Sequence, residues 1–428
     1  MKTIDYDVLG VGIGPFNLSL AALCEEGTDL NVAFFDESPE FRWHPGMLID
    51  RTDLQISFLA DLITLANPKS AYTFLNYVHE TNRVFPFYFF KEWNIPRKEY
   101  EAYCRWVVDQ LENLHFNKRV IEVIPHEDYF MCGIVTMDTG SVNYVTSKHV
   151  IVGTGSEPML PPGIEDNKDQ SLIHSSSYTF HADRVKENDS IVVVGSGQSA
   201  AEVFYDLLES QKENSYELSW YTRSPGFFQL EESKLGQEQF TPDYVDHFHQ
   251  LPFEQRQKTL ESLSNLRNGV EGKTLHNIYE LLYHRTSIND IPVTIQSSTE
   301  IVEAKEDEGG YNLYCKHGQT EEEWNVHAKA VVFATGYKPN IPTFLESMSD
   351  ELVYEAEGLH KVTRDYRLVF KSERNVNSNL YMLTNLEHSH GTSATNLALS
   401  VTRNLEIIQS ITEQHSYKTD RSSPFQQF

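Results

Sequence analysis

Cysteine is scarce and badly spaced for chemistry. Cys24, Cys104, Cys132 and Cys315 make up the whole complement, and no two of them form a CxxC. That excludes a dithiol redox centre and a thiolate metal site, and no other metal site is expected. The four read as reduced core thiols of a cytoplasmic protein. Basic residues are also short: 35 Lys and Arg stand against 62 Asp and Glu, a formal charge of −27. Phosphate backbones need clustered cations, so a nucleic-acid partner is excluded. No run of about 18 apolar residues occurs, so no membrane span is expected. The opening "MKTIDYDVLG" runs straight into a strand-like segment and leaves no room for a signal peptide before it. Low-complexity tracts and short-period repeats are missing too. What is there is 428 residues of ordinary globular composition, 40% hydrophobic. That length suits roughly two or three domains.

Strand, glycine turn, helix and strand follow one another twice. "YDVLGVG" closes on glycine, "FNLSLAALCEE" has helical spacing, and "LNVAFFDE" is a second apolar run ending in acids. The same order recurs in "SIVVVGSGQSAAEVFYDLLES" and "YELSWYTRS". Between them, 41 to 79 reads as aromatic-rich loops and short helices, and 96 to 111 as a helix with Pro96 at its start. "HVIVGTG" and "AKAVVFATGY" read as strands ending in Gly-rich turns, and 226 to 290 as mostly helical. From 376 the pattern is strand, glycine loop and long helix, and the tail "SYKTDRSSPFQQF" reads as frayed.

A dinucleotide pyrophosphate must approach backbone N–H groups at a helix N-terminus, where a side chain would block it. Gly12 and Gly14, followed by Pro15, meet this need in the first unit, with Asn17 where a third glycine is usual. Asp36 lies 24 residues after Gly12, where a carboxylate accepts hydrogen bonds from an unphosphorylated ribose. The second unit has Gly195, Gly197 and Ala200, and Arg223 stands where the first unit has its acid. A guanidinium there pairs with a 2′-phosphate. One turn for FAD and one for NADPH, with a hydride passing between them, is the reading that follows. The expected fold class is α/β: two Rossmann-like dinucleotide-binding domains with a small helical substrate region. The expected division is an FAD-binding domain from 1–164 and 321–428, and an NADPH-binding domain from 165–320 with a helical insert over about 226–290.

"GVGIGPFNLSLAAL", "FRWHPGM", "LQISFLADLITLANPKSAYTFLNY", "PRKEYEAYCRW", "VVVGSGQSAAE", "FATGY" and "HSHGTSATNLALS" run in order along nearly the whole chain. In these stretches the chain resembles the class B flavin-dependent N-hydroxylating monooxygenases of siderophore biosynthesis, the lysine and ornithine hydroxylase family. The resemblance implies that NADPH reduces FAD, that molecular oxygen adds to give a C4a-hydroperoxyflavin, and that a neutral primary amine attacks it. It places Trp43, His44, Pro45 and Met47 along the flavin, with Gln55 beside the isoalloxazine or the nicotinamide. Arg97, Gln198, Ser199, Thr335, Gly336 and Tyr337 are placed with the cofactors, and Asn268 with substrate and NADP. Gln55 and Asn268 carry the catalytic expectation. Each has a plainer reading: Trp43 and Met47 as core, His44 as structural, Arg97 as a helix-start surface residue, Asn268 as a loop or cap residue. A homo-oligomer, a tetramer by family, is also implied. Two readings outside the family stay open, a flavin-dependent NADPH reductase and a non-catalytic nucleotide sensor.

Family members that act on amino acids read Phe-Leu-Lys-Asp-Leu, and their lysine meets the substrate carboxylate. Here the stretch is "FLADL" with Ala60 at that position, and Ala398 stands where a serine is often found. A buried carboxylate without a cation is costly. The expected substrate is therefore a diamine, cadaverine or putrescine, with histamine, L-lysine and L-ornithine as alternatives. Lys69 is kept as a cation that reaches back to a carboxylate, and Glu387 as an acid for the far ammonium, against its plainer reading as a solvated loop acid.

Overall fold

The computed structural model describes residues 4–164, 171–307, 309–372, 378–418 and 424–428. Two separate sheets organise it. In the first, the parallel strands run in the order 114–115, 32–35, 6–11 and 142–152, and 380–382 joins the far side of 142–152. "VAFF", 32–35, is buried at every position, as expected for a parallel strand covered on both faces. The strand Val142–Val152 is long enough to split its duties. Its last six residues pair with Tyr6–Val11, and its first six with the antiparallel hairpin formed by Lys118–Pro125 and Phe130–Thr136. Helix Pro15–Gly27 packs on the C-terminal helix Leu397–Thr412, where Asn404 Nδ2 donates to the Phe16 carbonyl at 2.9 Å. Both ends of the chain thus build the first unit.

The second sheet is wholly parallel, in the order 172–174, 330–333, 190–194, 217–221 and 293–296. Its strand Ala330–Phe333 corrects the expected boundary at 321: Val192 pairs with Val331 and Val194 with Phe333, so this stretch belongs to the second unit. The antiparallel meander 299–328 shares that unit's core through Leu313, Cys315 and Ala328. The chain returns only after Phe333, where Tyr337–Pro339 pairs with the outgoing Ser156–Pro158. The expected outgoing boundary at 164 and 165 borders residues outside those described.

The helical insert is not confined to the second unit either. Helices Pro242–Gln250 and Phe253–Ser262 pack on the first unit's segment Glu387–His390. The buried Arg256 fixes them, donating to the His388 carbonyl at 2.8 Å and to Glu355 Oε1 at 2.7 Å. Helix Gly272–Thr286 packs instead on Gln198–Ser210 of the second unit, so the insert bridges the two. The tail is not frayed at its very end. Glu238 accepts from the backbone N–H groups of Phe425 and Gln426 at 3.0 and 2.9 Å, and the Phe428 ring meets Tyr244 edge-on at 4.9 Å.

Candidate functional site

Both glycine turns are made by the same steric demand. Gly12 has φ +88°, and a Cβ there would lie 2.5 Å from the Gly153 carbonyl oxygen. Gly195 has φ +139°, and a Cβ there would lie 2.3 Å from the Ala334 carbonyl oxygen. The "GTG" and "ATG" stretches are therefore the backbones against which the two turns close. A Cβ on Gly14 or Gly197 would meet nothing within 4 Å, so the approach to each helix start is open. Neither helix has a side-chain cap or an acid in its first turn. First-turn N–H groups without a cap, at the positive end of a helix, suit a pyrophosphate.

Asn17 departs from the glycine rule by serving the turn itself. Its buried Nδ2 donates to the carbonyls of Val11 and Gly12 at 3.1 and 2.7 Å. Its amide nitrogen is thereby committed to the turn itself. Asp36 accepts from Ile13 N at 2.7 Å and from Ser38 N at 2.8 Å, so its carboxylate is already oriented at the end of its strand. Two bonds leave a carboxylate with acceptor capacity to spare. In the second unit Trp220 Nε1 donates to the Gly195 carbonyl at 2.7 Å and steadies that turn. Arg223 is exposed and makes no ion pair within the described residues. Ser196 and Ser224 lie beside it, their hydroxyls 2.9 Å apart.

The segment between the units holds an aromatic cluster. The His44 ring lies 5.0 Å from Trp43 and 5.8 Å from Tyr337, whose ring lies 5.2 Å from His174. His174 Nδ1 accepts from Ser176 N at 3.1 Å, which makes Nε2 the protonated nitrogen that donates to the Gly336 carbonyl at 3.1 Å. Burial pushes the His174 pKa down to about 4, so the ring is neutral. His44 is exposed by surface area yet crowded by protein on its remaining sides. That crowding, with the Arg97 guanidinium nearby, pulls the His44 pKa downward. Thr335 Oγ1 donates to the Met159 carbonyl at 2.5 Å and ties the crossover strands together.

Several expected site residues have other work. Met47 is 2% exposed and packs into the second unit's core, so it offers no surface to a flavin. Gln198 spends its amide on Glu202, Thr274 and the Glu271 N–H at 2.8 to 3.0 Å, leaving only its backbone for a nucleotide. Arg97 makes a bidentate ion pair with Glu202 rather than an open cation. Ala60 is 3% exposed inside a tight turn and presents no surface to a substrate. Lys69 is exposed in a loop whose Asn67 and Ser70 hydrogen-bond to Glu26, near the C-terminal end of the helix that begins at Pro15. That end lies roughly 18 Å of helix from the glycine turn. Glu387 is paired with Arg267, and this pair brings the loop of Asn268 against the start of helix Glu387–His390. Gln55 is exposed on the strand Asp53–Ser57, whose Asp53 meets Lys273 at 3.0 Å. Ser199 and Ala398 are half-buried in the first turns of their helices.

Residues 5–339 match the family described as L-lysine 6-monooxygenase/L-ornithine 5-monooxygenase. The chain belongs to this family. A putrescine N-hydroxylase of Shewanella oneidensis is 36% identical over 435 aligned positions, spanning all of this chain and 85% of that protein. Among solved structures, the FAD-bound cadaverine monooxygenase of the desferrioxamine pathway of Erwinia amylovora superposes with a TM-score of 0.93 at 32% identity. The match covers 100% of this chain and 99% of the other. The ornithine N-hydroxylase of Kutzneria sp. 744, solved with reduced FAD, NADP⁺ and L-ornithine, gives a TM-score of 0.89 at 27% identity, over 95% and 99% of the two chains. The protein is thus a flavin-dependent N-monooxygenase that uses FAD and NADPH.

Family motifs conceal some residues that only the fold reveals. Asp61, buried in "FLADL", accepts from Ile63 N, Thr64 N, Thr64 Oγ1 and Phe74 N at 2.6 to 3.0 Å. It pins the loop after the Gln55 strand to helix Phe74–Glu80. Arg403, also buried, lies between the Phe16 and Tyr366 rings at 4.8 and 5.4 Å and donates to the Ala394 carbonyl. Asp61 had a visible signal: a single acid inside an apolar run. Arg403 had none, because its two ring partners, Phe16 and Tyr366, come from distant segments.

Proposed function

We propose that the chain hydroxylates one nitrogen of a short aliphatic diamine, cadaverine or putrescine, for a hydroxamate siderophore. Bound FAD supplies a centre that accepts a hydride from NADPH and activates molecular oxygen. The first turn, with Gly12, Gly14, Pro15 and Asp36, is the proposed FAD cradle, and Trp43, His44 and Gln55 are proposed to lie along the flavin. Gly195, Gly197, Ser199 and Arg223 are proposed to hold NADPH, with Arg223 on the 2′-phosphate. Thr335, Gly336 and Tyr337 line the crossing between the units. The reacting nitrogen has to be neutral, whereas a free alkylamine has a pKa near 10.4. The chain's part is to bind that amine beside Gln55 and Asn268 in a partly desolvated site, which lowers its pKa.

One observation carries the substrate choice. The loop Phe58–Ala66 contains no Lys or Arg, and its one charged residue, Asp61, is an acid. That loop supplies no cation for an α-carboxylate, and the exposed Lys69 lies outside it, in the segment held to Glu26. The relatives named for putrescine and cadaverine point the same way. Glu387 can receive the far ammonium only by displacing Arg267, so the choice does not rest on it. Hydroxylamine formed and NADPH consumed, measured with cadaverine, putrescine, histamine, lysine and ornithine, provide the test. Tight coupling is expected with the two diamines. Coupled product from the amino acids alone would overturn the diamine reading.

The homo-oligomeric state and cytoplasmic location belong to the same proposal. Among the described residues no helix is long and apolar enough to cross a membrane. All four cysteines are free, which suits a reducing compartment. Helix Val84–Phe90 buries none of its residues and exposes Phe85, Tyr88 and Phe89, with Trp93 beyond it. An aromatic face of this kind marks a contact surface, and a second copy of the chain is its proposed occupant.

A further inference from the structure

The two nucleotide units meet at a buried ion pair. Arg97 begins the helix Arg97–Val108, and Glu202 lies in the helix Gln198–Ser210. Both Nη atoms of Arg97 contact the Glu202 carboxylate at 2.7 Å, and the side chains are 13% and 4% exposed. Each partner is tied to a functional strand or turn. On the first unit, Arg97 N donates to the Thr52 carbonyl at 3.0 Å and Pro96 pairs with Asp53. Arg97 is therefore anchored to the strand that carries Gln55. On the second unit, Glu202 Oε1 also accepts from Gln198 Nε2 at 2.8 Å, and Gln198 is the first helical residue after Gly197. The same amide reaches Thr274 at 3.0 Å and accepts from Glu271 N at 2.8 Å. First unit, second unit and insert are thus joined through one carboxylate.

A buried ion pair adds little net stability, because desolvation offsets most of the attraction. A bidentate fork contributes direction instead, since it admits one relative orientation of its two helices. Elsewhere across this junction Thr179 Oγ1 donates to the Pro45 carbonyl at 2.9 Å, and two ion pairs are weaker guides. Arg51–Glu209 at 3.4 Å and Lys273–Asp53 at 3.0 Å each involve a long, exposed cation. Met47 and Ile49 enter the second core as apolar side chains, a non-directional contact.

We propose that Glu202 is a positioning residue for hydride transfer: by clamping Arg97 it fixes the rotation of the NADPH unit against the strand that carries Gln55. This rests on the two-nucleotide reading of the site. Burial pushes the Glu202 carboxyl upward while Arg97 and Gln198 pull it back, so the pair is sensitive to loss of either partner.

The test uses Glu202→Gln, Arg97→Lys and the exchange Arg97→Glu/Glu202→Arg. Anaerobic stopped-flow on the holoenzyme reads the limiting rate of flavin reduction and the NADPH dissociation constant separately. Glu202→Gln is expected to slow the limiting rate by about tenfold or more, as a small misplacement of reacting atoms does. The dissociation constant should stay within about twofold. Arg97→Lys should fall between Glu202→Gln and the unaltered enzyme, and the exchange should recover much of the rate. Small-angle X-ray scattering on the holoenzyme should show a larger radius of gyration for Glu202→Gln. An unchanged limiting rate in Glu202→Gln would overturn the proposal. So would an exchange variant as slow as the single variants at equal thermal stability. Failure of the two-nucleotide reading looks different: the unaltered protein would then hold no flavin to reduce.

Discussion

Gly12 and Gly14 sit two positions apart and make opposite demands. At Gly12 the positive φ and the Gly153 carbonyl leave no room for a methyl group, whereas at Gly14 the backbone is extended and the space is open. Gly12→Ala is expected to cost about 1–3 kcal/mol of stability through backbone strain and close contact. Gly14→Ala should leave the melting temperature unchanged but weaken FAD retention, because its methyl projects where a pyrophosphate approaches. The ratio of flavin to protein absorbance after gel filtration, read beside the melting temperature, separates the two. Equal melting temperatures for both variants would contradict this account. Arg223 makes a second residue-level prediction. Its exposed guanidinium has no protein partner within the described residues, so Arg223→Ala should raise the KM for NADPH by about tenfold or more. The KM for NADH should barely move. Parallel losses with both nucleotides would remove the 2′-phosphate role.

At the scale of elements, legibility followed the range of the interaction. Both strand–turn–helix–strand units were readable because a glycine turn, an apolar strand and a helical period are local features, and "GTG" and "ATGY" stand beside the strands they end. The surroundings of Met47, Arg97, Gln198 and Glu387 are illegible for the opposite reason. Each is satisfied by a partner that sequence distance hides: the second core for Met47, and Glu202, 105 residues away, for Arg97. The boundary at 321 failed similarly, since only strand pairing reveals that Ala330–Phe333 lies in the second sheet. The insert adds an element-level expectation about pH. Burial lowers the pKa values of His249, His360, His388 and His390, which sit where helices 242–262 meet the first unit. Arg256 and Arg364 oppose their protonation, and Glu355 partly favours it. An imidazole whose folded pKa lies below its unfolded value stabilises fully above about 6.5, and that stability is lost as pH falls toward the folded pKa. The melting temperature should therefore drop between about pH 7 and pH 5, by roughly 1 °C per kcal/mol lost for a chain of this length. Calorimetry across that range checks it, and a flat profile would show that these rings do not hold the insert.

At the scale of the whole molecule, the aromatic face at 84–93 calls for a cover. A chain with a charge of −27 is repelled by anionic lipid surfaces, and few basic residues are available to reverse that. Phe85, Tyr88 and Phe89 are 66 to 75% exposed on one short helix and Trp93 just beyond it is 63% exposed, which is costly for a monomer in water. Phe58 underlies it, stacked on Trp93 at 5.6 Å and edge-on to Phe87 at 5.2 Å, and the same Phe58 begins the loop that contains Ala60 and Asp61. Self-association through this face would brace the loop after the Gln55 strand, so quaternary structure and substrate placement become linked. The double variant Phe85→Ser/Phe89→Ser, on exposed rings, is expected to keep its FAD and its fold while shifting to a smaller species in sedimentation velocity. Hydroxylamine formed per NADPH consumed should fall in the same variant, because a less braced loop admits water to the site. A smaller species with unchanged coupling would break the link between assembly and chemistry. An unchanged sedimentation coefficient would remove this helix from the interface altogether.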